Sequence, residues 1–369
     1  LAIGNPEHLH DESLAQAFIA PQRNGARARG PHPLPLFLAI AARVCAGDRA
    51  RLAEVLRGLA RYQALPPALP RPVAPEVLRV GGVVLRDHGE GAGKPVLVVP
   101  SLINPPHVLD LGPGRSLLAG LRARGLRPLM VDWGMPEPLG LGALVAERLA
   151  PLLAGLGEKV PVLGYCLGGT LAVGLAGVAA VERLALLAAP WNFSGYEAAA
   201  RAQLADWWGR VAVLAGPLGA VPMEMVQPAF WALDEAGLVA KYARLADASD
   251  EALALFAALE DWSNSGVPVA LAAAAELADG LFGEDLTGRG QWRVGGELVA
   301  PARLRVPVLD VIAARDRIVP ASAALSAGVG SAGGVGTPLR LPAGHVGMVV
   351  GGRAPDMLWA PLADWLLNG

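Results

Sequence analysis

The stretch Val160-Pro-Val-Leu-Gly-Tyr-Cys-Leu-Gly-Gly-Thr170 constrains the fold of this chain more than any other. An apolar run with β-branched residues stops at Gly-x-Cys-x-Gly-Gly, and an Ala/Leu/Gly segment with helical spacing follows. The pattern predicts a strand, a sharp turn and a helix, with Cys166 at the turn. It reads as a nucleophile elbow in which cysteine takes the usual place of serine. Gly164 and Gly168 leave room where side chains would collide. A helix N-terminus beside the sulfur favours a thiolate. A buried structural cysteine in an ordinary strand–turn–helix is the other reading of the motif. Val160 to Val181 carries no charge and is long enough to raise a membrane helix. The turn in its middle favours strand–turn–helix, so the chain reads as soluble.

Strand and helix patterns alternate on both sides of this stretch. Residues 1–35 are polar and rich in Arg, Pro and Gly, and read as a loosely held arm. The first ten residues lack the basic-then-apolar pattern of a targeting segment. Leu36 to Leu65 has helical spacing and includes Cys45, expected in a core or half-buried, before a proline-rich break at 66–72. Val77–Val80 and Val83–Leu85 read as antiparallel strands around Gly81-Gly82. Further strands are expected near 95–100, 126–133, 160–165, 181–188, 306–312 and 338–341. Residues 191–299 are helical in pattern with almost no strand signal. The expected class is α/β, with a mostly parallel sheet and right-handed crossovers. The expected division is an N-terminal arm with helices (1–75), a core (76–190 plus 300–369) and a helical cap inserted at 191–299.

Composition excludes several classes. A chain of 369 residues that is 53% hydrophobic and 17% charged, with net charge −2, has no nucleic-acid surface or polybasic membrane patch. Two cysteines in unlike contexts argue against a disulfide framework and fit a reducing cytoplasm. No phosphate loop is formed, and no Cys/His spacing suits zinc; His8 and His10 read as part of the arm. Neither a metal nor a cofactor is expected.

A thiol nucleophile needs a base, and the base needs an orienting group. In the α/β-hydrolase order these follow as nucleophile, acid, histidine. His345 is the one histidine after Cys166, in a Gly-flanked loop before the last helix. A loop histidine that caps or packs locally is the alternative. Asp316 follows an apolar strand and precedes an expected Pro-initiated helix, and it could also be a turn or N-cap aspartate. Asp310 lies within that strand and is the weaker choice. Asp110 and Asp132 precede the elbow and would need another topology. Backbone N–H donors for an oxyanion are expected at Leu167 and at Ile103, in the loop Leu102-Ile103-Asn104. Of the scattered tryptophans, Trp262 is the candidate to face a substrate.

Taken together, these motifs resemble the polyhydroxyalkanoate synthases. Gly164–Thr170 looks like that family's cysteine box, Ser101–Leu111 like its early loop and helix, and Val131–Gly134 like its next strand end. Asp316–Pro320 and Gly344–Gly347 look like its acid and histidine motifs. The stretch from Val221-Pro-Met-Glu-Met to Lys241-Tyr242, and Glu260-Asp-Trp262, look like its cap segments. The resemblance runs over roughly residues 95–365. It implies an α/β-hydrolase fold and polymerisation of 3-hydroxyacyl-CoA into polyester, with CoA released. Cys166 would carry the chain as a thioester, His345 would activate thiol and hydroxyl, and Asp316 would support it. It also implies the shorter, two-subunit type with a non-catalytic partner, a homodimer formed through the cap, and a place in the cytoplasm or at the polyester granule. Two departures are Arg317, where the family usually has histidine, and an unusually Ala-rich insertion. A Cys-dependent thioesterase, esterase or acyltransferase on the same fold stays open, as does a non-catalytic granule-associated protein.

Overall fold

Short apolar runs punctuated by Gly and Pro build a single eight-stranded sheet in the computed structural model. The structure describes residues 29–66, 68, 70–328 and 335–368; most of the N-terminal arm, with His8 and His10, lies outside them. The strands are β1 (Glu76–Val80), β2 (Val83–Asp87), β3 (Lys94–Val99), β4 (Leu126–Asp132), β5 (Val162–Tyr165), β6 (Leu184–Leu187), β7 (Val308–Ala313) and β8 (Thr337–Leu341). Their spatial order is β1-β2-β4-β3-β5-β6-β7-β8. From β4 to β8 all neighbours pair in parallel, whereas β2 runs antiparallel to both β1 and β4. Gly81, at φ +60°, makes the tight β1–β2 turn that a side chain would strain.

Both faces of the sheet are covered, so the central strands are apolar throughout rather than alternating. Leu97, Val99, Val162 and Leu186 enter one core with the helix after the elbow. Val96, Val98, Leu163 and Leu187 enter the other with Leu117–Leu121 and the C-terminal residues Leu358–Leu366. Because the strands are parallel, the loops after β3, β5, β6, β7 and β8 emerge at one edge. That edge is where such sheets place their ligands.

The inserted segment is largely helical, with α4 (Ala198–Ala215), α5 (Met223–Ala232), α6 (Glu235–Ala243), α7 (Asp250–Ser263) and α8 (Leu271–Ala275) following α1 (Leu34–Val44), α2 (Arg49–Gln63) and α3 (Leu167–Val178). It also holds two strand pairs of two residues each, Ala220–Val221 with Val269–Ala270 and Arg293–Val294 with Glu297–Leu298, too short to show as alternation in sequence. Helices α1 and α2 share a core with the insertion: Phe37, Cys45, Leu59 and Tyr62 pack on Trp231, Leu238, Tyr242 and Ala257. At Gly58 an added Cβ would lie 1.9 Å from the Tyr242 carbonyl oxygen, so α2 and α6 approach as closely as backbones allow.

The segments Lys241-Tyr242 and Glu260-Asp-Trp262 meet. Buried Glu260 accepts from Lys241 Nζ (2.6 Å) and the Tyr242 hydroxyl (2.8 Å). Next to it Asp261 accepts from the Tyr62 hydroxyl (2.6 Å). The end of α7 thus ties the N-terminal helices to the insertion. The helix expected after Pro320 is instead a 3-10 turn, Ala321–Ala323. The Ala323 and Ala324 carbonyls accept from Trp191 N, Asn192 N and Asn192 Nδ2, partners outside a helix.

Candidate active site

Strand β5 delivers Cys166 at φ +54°, ψ −131°, a conformation that a non-glycine residue holds only when its surroundings enforce it. The surroundings here are close backbones. An added Cβ on Gly168 would lie 2.2 Å from the Val99 oxygen, and one on Gly164 would lie 2.4 Å from Gly169 Cα. Only glycine at both positions allows α3 to start directly behind the strand. The Cys166 N–H donates to the Leu187 oxygen at 2.9 Å, which pins the turn to β6. Leu167 is the first residue of α3, where an N–H has no acceptor within the helix.

Two loops at the same edge bring Asp316 and His345 together. Ala314 N donates to Leu341 O (2.8 Å) and Arg315 N to Ala343 O (2.9 Å), which zips the chain beyond β7 to the chain beyond β8. Asp316 Oδ1 accepts from the N–H groups of Ile318 (2.8 Å) and Val319 (2.9 Å). Its Oδ2 lies 2.6 Å from His345 Nδ1. With Nδ1 so engaged, Nε2 is the ring nitrogen left for Cys166. Tyr165 underlies the ring, with centroids 5.2 Å apart, and its hydroxyl reaches the His345 carbonyl at 3.4 Å.

Burial by itself would lower the His345 pKa, but Cys166 and Asp316 outweigh it. Negative charge at Cys166, hydrogen bonds with Asp316 and with Cys166, and the charge of Asp316 raise it to about 10. A carboxylate, a ring that favours its protonated form and a sulfur are therefore coupled through His345. A cation beside a thiol favours the thiolate.

Two chambers meet at Cys166, and Ile103, Phe230 and Ile318 line both. The smaller, about 40 Å³, contains His345, Ser101 and Trp262. The larger, about 200 Å³, extends under the inserted helices. The Ile103 N–H points at Ser101 Oγ at 3.3 Å, a long bond that an incoming oxygen would have to replace. Trp262 borders the smaller chamber, but its indole N–H is committed to the Pro105 carbonyl at 2.8 Å. Beside it Asn104 Nδ2 reaches the Ser263 carbonyl at 3.4 Å.

The other aspartates are engaged elsewhere. Asp310 is fully buried in β7 and accepts from Ser326 N and Oγ at 2.8 and 2.7 Å. Asp132 pairs with Arg86 (2.6 Å), and Asp110 faces His88 (3.6 Å). Arg317, exposed beside the acid, pairs with Asp234 between α5 and α6. Sequence reasoning missed Tyr165, Phe230 and Ile318. Tyr165 and Ile318 adjoin motif residues and could have been found by that proximity, whereas Phe230 has no local signal. Among the described residues no three His, Cys, Asp or Glu side chains gather as metal ligands, and none of the helices is long and apolar enough to cross a membrane.

No family model matches the chain. It is similar to the poly(3-hydroxyalkanoate) polymerase subunit PhaC of Haloferax mediterranei, with 25% identity over 285 residues, 73% of this chain and 58% of that protein. The PhaC subunit of Synechocystis sp. is 28% identical over 291 residues, 74% of this chain and 77% of that one. That of Thiocystis violacea is 26% identical over 288 residues, 74% and 80% respectively. The chain thus spans less than two thirds of the Haloferax relative and more of the other two. Among solved structures, BpoC of Mycobacterium tuberculosis superposes with a TM-score of 0.52 at 16% identity, covering 81% of this chain and 99% of that one. Fold likeness and sheet order are those of the α/β-hydrolase fold.

Proposed function

We propose that this chain is a polyhydroxyalkanoate synthase that joins 3-hydroxyacyl groups from CoA into polyester through a thioester on Cys166. The observation that carries the reading is a cysteine elbow facing the His345–Asp316 pair, in a chain similar to PhaC subunits over about 74% of its length. Cys166 Sγ attacks the acyl-CoA carbonyl, the bond from that carbon to the CoA sulfur breaks, and CoA leaves with a proton from His345. The hydroxyl of a second hydroxyacyl unit then gives its proton to His345. Its oxygen attacks the Cys166 thioester, the carbon–Sγ bond breaks, and the ester forms. Asp316 holds the ring in the tautomer both steps need. Leu167 N–H and Ile103 N–H would receive the oxyanion. Exchange between thioesters is nearly neutral, which suits a sulfur nucleophile, and the apolar chambers keep water from the intermediate.

A non-catalytic partner subunit, attachment to the polyester granule and a homodimer through segment 191–299 belong to the same reading. Gel filtration before and after product formation tests them.

The deciding experiment offers 3-hydroxybutyryl-CoA and 3-hydroxyoctanoyl-CoA to wild type and Cys166→Ala, follows CoA release and sizes the product. Release that needs Cys166 and leaves insoluble polyester supports the synthase. Release that ends in free hydroxy acid makes the protein a thioesterase. No release from either substrate, with or without a partner subunit supplied, overturns the synthase reading.

A further inference from the structure

We infer that the larger chamber at Cys166 is an acyl pocket that selects hydroxyacyl groups with a medium-length apolar tail. The inference rests on the reading of Cys166 as the acylated residue. The chamber begins at the sulfur and runs between α4, α5 and the helix that follows Ala270, past Leu204, Trp207, Val226, Leu277, Ala278 and Phe282. Two of the polar side chains on its wall, Arg201 and Trp207, are turned away from a ligand, which leaves the Tyr196 hydroxyl as the other polar group beside the sulfur. Arg201 donates to the carbonyls of Phe282 (2.8 Å) and Gly283 (2.9 Å), and Trp207 Nε1 donates to the Met225 carbonyl (3.2 Å).

Such a wall rejects the pantetheine amides and phosphates of CoA. Their many polar atoms would lose water there and find at most the Tyr196 hydroxyl as a partner. The CoA portion therefore lies on the other side of the sulfur, and the tail enters the apolar side. Size sets the length. A dry apolar cavity of about 150 Å³ accommodates benzene. The chamber, at about 200 Å³, fits a tail of about five to seven carbons beyond the hydroxyl-bearing carbon. A methyl tail would leave most of it empty and forgo the burial of each missing methylene.

Two measurements test this and separate it from the synthase reading. The first is the rate at which N-alkylmaleimides, methyl to octyl, label Cys166, read by mass on the Cys166 peptide. It needs no turnover. The rate should climb by up to about fourfold per methylene and level off near heptyl. Leu204→Trp and Ala278→Leu, on different elements, should each cut the octyl-to-methyl rate ratio at least tenfold with native circular dichroism retained. The second is kcat/KM for 3-hydroxyoctanoyl-CoA against 3-hydroxybutyryl-CoA. It should exceed tenfold in wild type and fall toward unity in both variants. Labelling that ignores chain length overturns the pocket, whatever the enzyme turns over. A turnover ratio near one does so as well, and would leave the chamber to the growing polyester. Length-dependent labelling without turnover of either substrate keeps the pocket and removes the synthase.

Discussion

Asp316 Oδ2 and His345 Nδ1 lie 2.6 Å apart, although the two residues are separated by 29 positions and stand on different loops. The other carboxylate oxygen is held by two backbone N–H groups, so the acid can neither rotate nor withdraw. Asp316→Asn would keep those two bonds through its amide oxygen. Its NH₂ would then face Nδ1 and impose the wrong tautomer. The expected result is a kcat loss of roughly 10³–10⁴ with little change in KM. A loss under tenfold would mean that Asp316 does not orient the ring.

The raised pKa of His345 makes a second prediction. Its folded value of about 10 lies above the ordinary 6.5, so the ring stays protonated through neutral pH and gives up its proton only as pH climbs toward 10. Over pH 7 to 9 iodoacetamide should alkylate Cys166 faster beside that cation than without it. In His345→Gln the cation is gone, and the rate should fall, most at the neutral end of that range. Superimposable profiles would show that the two groups are uncoupled.

Trp262 joins α7 to the loop that carries Ile103, through its bond to the Pro105 carbonyl. Trp262→Phe keeps most of the ring and leaves that carbonyl unpaired, at a cost of about 1–3 kcal/mol. If the loop positions an oxyanion donor, kcat should drop about tenfold while KM for the acyl-CoA holds. A change in KM alone would make Trp262 a substrate contact, as its residue type and place suggest from sequence.

Arg317 and Asp234 pair between the loop bearing Ile318 and the end of the helix bearing Phe230, next to Ile318 and Leu233 on the wall of the larger chamber. Arg317 is 71% exposed, so the pair contributes at most about 1 kcal/mol to stability. Arg317→Ala should leave the urea midpoint almost unchanged yet quicken maleimide labelling of Cys166. High salt should quicken labelling of wild type in the same way and leave the variant alone. Equal salt responses in both would show that the pair does not hold the insertion down.

What could be read from sequence, and what could not, follows from how local each cause is. The elbow is local: Gly164 and Gly168 are there because neighbouring backbones exclude a Cβ, and their spacing around Cys166 advertises this. The β1–β2 hairpin is local too, because the positive φ of its turn calls for Gly81. The meeting of Asp316 and His345 is not local, but parallel strands deliver their loops to one edge, so the order of the motifs along the chain implied it. The insertion offers no such rule. An apolar residue on a helix satisfies its own core or a substrate chamber equally well, and nothing in the sequence singled out Phe230. An amphipathic face likewise does not name its partner, so the docking of α1 and α2 on the insertion was invisible. The turn after Pro320 missed being a helix because its carbonyls bond to residues 191 and 192, far off in sequence.

Asp310 supplies the last prediction, and it concerns stability. The carboxylate is fully buried, Oδ2 is bound by Ser326, and Oδ1 has no hydrogen-bond partner. Burial raises its pKa, and the Ser326 hydrogen bonds offset that only in part. A folded pKa above the unfolded value of about 3.9 means that the native state prefers the proton. The resulting penalty is absent at pH below that value, grows as pH rises through the folded pKa, and is complete beyond it. Asp310→Asn can keep the bonds from Ser326 and places an uncharged NH₂ where Oδ1 stood. Both side chains leave one polar atom unpaired, so charge is the main difference between them. The melting temperature of the variant minus that of wild type should therefore increase from pH 4 to pH 7. A difference that stays constant or decreases over that interval would show that Asp310 is not a strained carboxylate, and that Ser326 compensates its burial in full.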